Sequence, residues 1–99
     1  MDYYNIISAI GEITNFIALA SERLTGKPSA EERLGVHDET AIVIKRIFML
    51  IQCLELLKDN EKYKSLKTIY DADIQKLCKT VGYLMVANRC LIEPDPAND

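Results

Sequence analysis

Apolar residues recur every three or four positions in three long stretches of the chain, and few segments show the alternation typical of strands. The first stretch runs from Tyr3 to Leu24 and places its apolar residues on about half of a helical wheel. Asp2 is positioned to cap the start of this helix. Gly26 and Pro28 mark its end, because glycine accepts a left-handed conformation and proline cannot continue the hydrogen-bond ladder. The pattern predicts an amphipathic first helix.

The second stretch is apolar around almost its whole circumference. Ala41–Leu57 contains thirteen apolar residues out of seventeen, and only Lys45, Arg46, Gln52 and Glu55 interrupt it. A helix of this kind requires neighbours on several sides. The pattern therefore raises the question of which surface covers this helix.

Capping signals predict where the second helix begins. Asp38 is suited to cap its N-terminus, and Lys58 lies near its end. In the connection before Asp38, Ser29 and Glu32 match a capping box, and Gly35 is suited to close a single turn. We therefore expect one short helix within a surface loop between the first and second long helices.

The third stretch begins near Glu61 and keeps its helical phase as far as Leu91. We expect one continuous helix, with a break near Tyr70 as the alternative, because Asp71 and Asp73 can compete for backbone amides. The segment 94–99 contains two prolines and predicts a flexible C-terminal tail. Residues 1–93 are expected to form a single domain: an all-α bundle of three long helices and one short helix, built from antiparallel helical hairpins.

Composition supports an ordered globular protein, since 48% of the 99 residues are hydrophobic and 27% are charged. The formal net charge of −3 argues against a binder of nucleic-acid phosphates. The chain lacks signal-peptide features and a membrane-spanning run. Cys53, Cys78 and Cys90 show no C-x-x-C spacing, so we expect reduced core cysteines and a cytoplasmic location rather than disulfides or a zinc site.

Few residues are spaced for catalysis or metal binding. His37 is followed by two acidic residues, but successive helical side chains point about 100° apart and do not converge on one ion. Magnesium-dependent helical hydrolases such as the MazG-type pyrophosphatases use E-x-x-E and E-x-x-D pairs, which do not occur around Glu12 or Glu55. We therefore expect a non-enzymatic protein without cofactor or metal. The alternative, a carboxylate-metal hydrolase, requires Glu12, Glu22, Glu55 and Asp59 to approach one another.

A cluster of lysines surrounds the predicted connection between the second and third helices. Lys58, Lys62, Lys64 and Lys67 form a candidate basic strip for nucleic acid. Acidic residues are interspersed among them, which favours an ordinary solvated face. A small nucleic-acid-binding regulator remains an alternative function.

Surplus apolar residues on outer helical faces predict protein binding. Phe48, Met49, Gln52 and Leu56 share the outer side of the second helix, and the same reasoning applies to Tyr83, Val86 and Cys90 on the third. We predict a homodimer that also binds another protein, with a second copy or a target helix between the second and third helices. Inhibitors, immunity or antitoxin partners, chaperones and regulatory subunits are proteins of this type. No small-molecule substrate is evident.

Overall fold

The computed structural model describes residues 2–93, which form three long α-helices and one short 3₁₀ helix. The α-helices are α1 (Tyr3–Arg23), α2 (Ala30–Lys58) and α3 (Lys67–Ile92), and the 3₁₀ helix (Glu61–Leu66) connects α2 to α3. No strand forms within this range, and the predicted all-α bundle is confirmed. None of the helices in this range is both long and apolar enough to cross a lipid bilayer. The tail predicted at residues 94–99 lies outside the described residues.

The first helix begins and ends close to the predicted signals. The Asp2 side chain accepts a hydrogen bond from the backbone amide of Asn5 at 2.9 Å, which caps the N-terminus. The helix ends at Arg23, and Gly26 follows with a φ of 79°, in the region that favours glycine. Local side-chain and backbone preferences are thus sufficient to define α1.

The second helix begins earlier than predicted, and the prediction of a separate short helix at Ser29–Glu32 was wrong. Ser29 does cap a helix, since its hydroxyl accepts from the Glu32 amide at 3.0 Å, but that helix is α2 itself and continues through Gly35 and Asp38 to Lys58. A helical glycine costs only about 1 kcal/mol relative to alanine. Burial of Val36, which is 1% exposed, immediately beyond Gly35 offsets that cost.

The third helix is continuous through Tyr70, as expected, but it begins at Lys67 and not near Glu61. Within the 3₁₀ helix that precedes α3, the backbone at Tyr63 is non-helical, so the segment from Glu61 does not continue α3. The two aspartates do not break the helix because their carboxylates bind side chains of other helices. Lys58 contacts Asp71 at 2.9 Å, and the Tyr3 hydroxyl donates to Asp73 at 2.6 Å.

Contacts along the helices define an up-down-up bundle. Arg23, at the end of α1, contacts Glu32 near the start of α2, and Glu12, in the middle of α1, pairs with Arg46 further along α2 at 2.8 Å. These two contacts show that α1 and α2 are antiparallel. α2 and α3 are antiparallel too, because Lys58 near the end of α2 pairs with Asp71 near the start of α3, and Val36 near the start of α2 lines the same hollow as Leu84 in the second half of α3. The bundle is elongated, with a Cα radius of gyration of 16.3 Å, against about 13 Å for a compact domain of this length. Such a rod leaves much helical surface uncovered.

The core lies along the inner face of α2. Its fully buried side chains come from all three helices, and the largest are Ile6, Ile47, Leu50, Leu54, Tyr70 and Leu77. α2 packs against both neighbours, whereas no Cα atom of α1 lies within 8 Å of a Cα atom of α3. α1 and α3 meet through side chains, including the Tyr3 and Tyr70 rings, whose centroids are 5.1 Å apart.

Candidate functional site

The outer face of α2 carries large apolar side chains that the bundle does not cover. Ile42, Met49 and Leu56 are 69%, 62% and 74% exposed. They lie seven residues apart, and residues at that interval differ in direction by only about 20° on a straight helix. With Lys45 and Gln52 between them they form one line along α2, which we call the α2 seam. It spans about 21 Å of helix axis.

The α2 seam explains why apolar residues surround almost the whole circumference of the second apolar stretch. The buried residues of α2 form a separate line on the opposite face, where Ile47 and Leu54 are also seven residues apart. That inner line packs on α1 and α3. α2 therefore carries large apolar side chains on two opposite faces, of which the described chain covers one.

The structure groups the predicted interface residues of α2. Met49, Gln52 and Leu56 lie in the seam, and Phe48 flanks it with 46% exposure. Ile42 was not predicted, although its seven-residue spacing from Met49 is visible in the sequence.

The predicted interface residues of α3 lie in the other half of the rod. Tyr83 and Val86 are each 67% exposed, and Cys90 is exposed too. In the antiparallel hairpin this part of α3 runs beside the N-terminal half of α2, whereas Leu56 lies near the C-terminal end of α2. The structure therefore does not join the two predicted groups into one surface.

The cysteines differ from the expectation of buried thiols. Cys53, Cys78 and Cys90 are free, but only Cys53 is half-buried, and the other two are exposed. The expectation that they belong to the core was wrong for Cys78 and Cys90. Both lie on outward-facing positions of α3. The apolar periodicity of the sequence does not show whether a residue beside the buried face of a helix is covered or exposed.

The candidate basic strip is mixed in charge. Lys58, Lys64 and Lys67 line a shallow hollow of about 130 Å³ together with Asp59, Asn60 and Glu61. A hydrogen bond to Asp71 raises the pKa of Lys58, so this ammonium group is already paired. The Lys62 ammonium lies outside the hollow, 5.5 Å from the centre of the Tyr63 ring.

The carboxylates required for the hydrolase alternative are spread along the rod. Glu12 pairs with Arg46, nine residues or about 14 Å of helix axis from Glu55. Glu22 lies ten residues beyond Glu12 on α1, and Asp59 caps the end of α2. In residues 2–93 no three His, Cys, Asp or Glu side chains are grouped so as to hold a metal ion.

Ion pairs tie the end of α1 to the start of α2. The Arg23 guanidinium donates to Glu32 and to Glu39, each at 2.6 Å. These hydrogen bonds raise the pKa of Arg23 above its ordinary value, with Glu32 as the larger cause. The three side chains are partly exposed and act as a surface clamp rather than as a reactive site.

Comparison with known proteins provides no relative from which a function could be transferred. No family model, no curated protein and no solved structure matches this chain.

Proposed function

We propose that this protein acts by binding proteins and not by catalysis, and that it forms a homodimer through the α2 seam. The observation that supports the proposal is the exposure of Ile42, Met49 and Leu56 along one line of a rigid helix. Three large apolar side chains at heptad spacing are typical of a helix that packs against another helix. Regulatory subunits, inhibitors and antitoxin-like proteins act through surfaces of this kind.

The size of the surface fits a second copy of the chain. With Phe48 included, the seam exposes on the order of 400 Å² of apolar side chain, comparable to the largest patches on monomers and often functional. A standard interface buries about 800 Å² per partner. The stems of Lys45 and Gln52 and the flanking polar residues supply the remaining area.

Charge favours an antiparallel pair of α2 helices. A parallel pair would stack Lys45 of one copy on Lys45 of the other. An antiparallel pair whose two-fold axis crosses the seam beside Met49 brings Lys45 of each copy within about one helical turn of Glu55 of the second copy. Lys45 forms no ion pair with any residue in the range 2–93, so its ammonium group is available for this contact.

The proposal is tested by replacing one seam residue and one matched residue elsewhere. Met49→Asp introduces a charge into the seam, whereas Met85→Asp introduces the same charge on α3, where Met85 is 51% exposed. We expect sedimentation equilibrium to give a dimer for the native chain and for Met85→Asp. Met49→Asp should be a monomer with unchanged helical circular dichroism.

Two results would contradict this expectation. If the native chain stays monomeric at high concentration, the homodimer is excluded. If the Met49→Asp variant stays dimeric, the seam is not the interface.

The antiparallel orientation has a separate test. Lys45→Glu and Glu55→Lys should each weaken the dimer through like-charge contacts, and the double variant should restore its dissociation constant. If the losses of dimerisation free energy in the two single variants simply add in the double variant, the two side chains do not meet in the dimer.

A further inference from the structure

An apolar groove lies between α1 and α3. These two helices do not approach closely, so a space of about 90 Å³ remains open between their C-terminal halves. Its floor is formed by Val36 and Thr40 of α2, and its walls by residues of α1 and α3 such as Ala20, Leu84 and Leu91. Because Val36 and Thr40 belong to the buried face of α2, the groove and the α2 seam lie on opposite sides of that helix. A dimer formed through the seam therefore leaves the groove uncovered.

The groove is uncharged and has room for one aliphatic side chain. Its lining contains no Asp, Glu, Lys, Arg or His, and its polar side chains are Ser21, Thr40, Tyr83 and Asn88. The Ser21 hydroxyl already donates to the carbonyl oxygen of Ile17 at 2.9 Å. A cavity of about 150 Å³ holds a benzene ring. The smaller groove therefore fits a side chain of the size of leucine.

The α3 wall of the groove continues into an exposed strip on the outer side of this helix. Lys76, Tyr83 and Cys90 are seven residues apart, and Lys79 and Val86 form a second line beside them. All five residues are exposed, and Tyr83 also lines the groove. We call them the α3 strip, which spans about 21 Å of helix axis. It contains the three interface residues that the sequence predicts on α3.

The α3 strip is basic at one end and largely apolar at the other. Lys76 and Lys79 form its N-terminal end, and neither forms an ion pair with any residue in the range 2–93. No Asp or Glu occurs from residue 74 to residue 92. The third cation of that segment, Arg89, pairs with Glu93 at 2.8 Å. The strip therefore presents two free ammonium groups next to an apolar surface.

We propose that the α3 strip and the groove together bind an amphipathic helix of another protein, one that is acidic at one end and apolar at the other. The acidic residues of this helix pair with Lys76 and Lys79, its apolar residues cover Tyr83 and Val86, and one of them enters the groove. Two α3 strips packed on each other would bring together two lysines from each copy and no carboxylate, which disfavours a second copy as the occupant. The inference rests on the proposed protein-binding function but not on the homodimer.

A displayed library of helical peptides of about 18 residues, long enough to cover the α3 strip, is the probe. Peptides that bind immobilised Val86→Asp are removed first, which discards binders of the α2 seam, and the rest are selected on the native chain. We expect the selected peptides to carry net negative charge and large apolar residues three or four positions apart. Their affinity should fall as the salt concentration rises.

Variants assign the contacts. Met85→Asp is the matched control for Val86→Asp, since it places the same charge on another side of the same helical turn, and it should bind like the native chain. The double variant Lys76→Glu with Lys79→Glu should bind the acidic peptides about tenfold more weakly, because two attractions become repulsions. Ala87→Leu narrows the groove from its α3 wall and should weaken binding by about tenfold or more.

Four outcomes would overturn the proposal. If no peptide remains after the binders of Val86→Asp are removed, the α3 strip does not bind a helix. Selected peptides without an acidic excess, or equally tight binding to the double lysine variant, exclude the charge pairing. An unchanged affinity in Ala87→Leu shows that no side chain enters the groove. If Met49→Asp still self-associates and adding Val86→Asp abolishes this, the occupant is a second copy.

The homodimer is tested by sedimentation of the native chain and Met49→Asp. A failure of the homodimer is thus distinguished from a failure of peptide binding at the α3 strip.

Discussion

Replacement of Gly35 by alanine tests whether α2 is one helix. The sequence pattern predicts a helix end at Gly35, whereas the structure places this residue inside a continuous helix that runs from Ala30 to Lys58. The two arrangements predict opposite effects of a β-carbon. Alanine stabilises a helix interior, but it is strained where glycine adopts a positive φ.

The surroundings of Gly35 determine how much Gly35→Ala should change the free energy of unfolding. Gly35 has no positive φ, and an alanine β-carbon there would lie 3.4 Å from Nη2 of Arg23, at the end of a flexible side chain. A glycine to alanine change in a helix interior contributes about 0.5–1 kcal/mol. We therefore expect Gly35→Ala to raise the free energy of unfolding by about this amount, with a small reduction because Glu32 and Glu39 hold Arg23 in place.

Two further glycines provide the controls. Gly82 lies in α3 with nothing within 4 Å of its added β-carbon, so Gly82→Ala should give the full helical gain. Gly26 has a φ of 79°, so Gly26→Ala should lower the free energy of unfolding by about 1 kcal/mol.

Chemical denaturation followed by circular dichroism measures these differences. All variants are compared in the Met49→Asp background, because dimerisation would make apparent stability depend on concentration. If Gly35→Ala is destabilising like Gly26→Ala, then α2 is broken at Gly35 and the reasoning from the continuous helix is refuted.

Two other predictions concern residues that tie the helices together. Ser29→Ala removes the cap of α2 and should lower the free energy of unfolding by about 1 kcal/mol, while Ser29→Asp should retain most of the stability. A Ser29→Ala variant as stable as the native chain would mean that the cap contributes nothing. The hydrogen bond to Asp73 and burial raise the pKa of Tyr3 from 10.0 to about 12. Because the folded-state pKa is the higher one, the contribution of Tyr3 is complete below pH 10 and is lost as the pH rises towards 12. Tyrosinate absorbance should show a late-titrating phenol that is missing in Tyr3→Phe, and an unchanged high-pH titration curve in that variant would contradict the assignment.

The candidate surface could be predicted only in part. Met49 and Leu56 were predicted to lie outside because Lys45 and Gln52 mark a polar stripe on α2. Periodicity does not show which of two apolar lines on an all-round apolar helix the neighbours cover, so Ile42 was missed.

Features that depend on a few neighbouring residues were determined by the sequence itself. Three stretches with a period of 3.6 residues determine an all-α fold, and short-range hydrogen bonds determine the caps at Asp2 and Ser29. The stop at Gly26 is of the same kind, since it needs only a left-handed backbone.

Tertiary structure decided the features in which a local preference competes with a distant contact. Gly35 stays helical because Val36 beyond it is buried, and Asp73 does not break α3 because its carboxylate binds Tyr3, seventy residues away in sequence. A local preference of about 1 kcal/mol is smaller than the free energy gained by burying one large side chain. Packing therefore overrides local signals wherever the two disagree, and only the assembled bundle shows where this occurs.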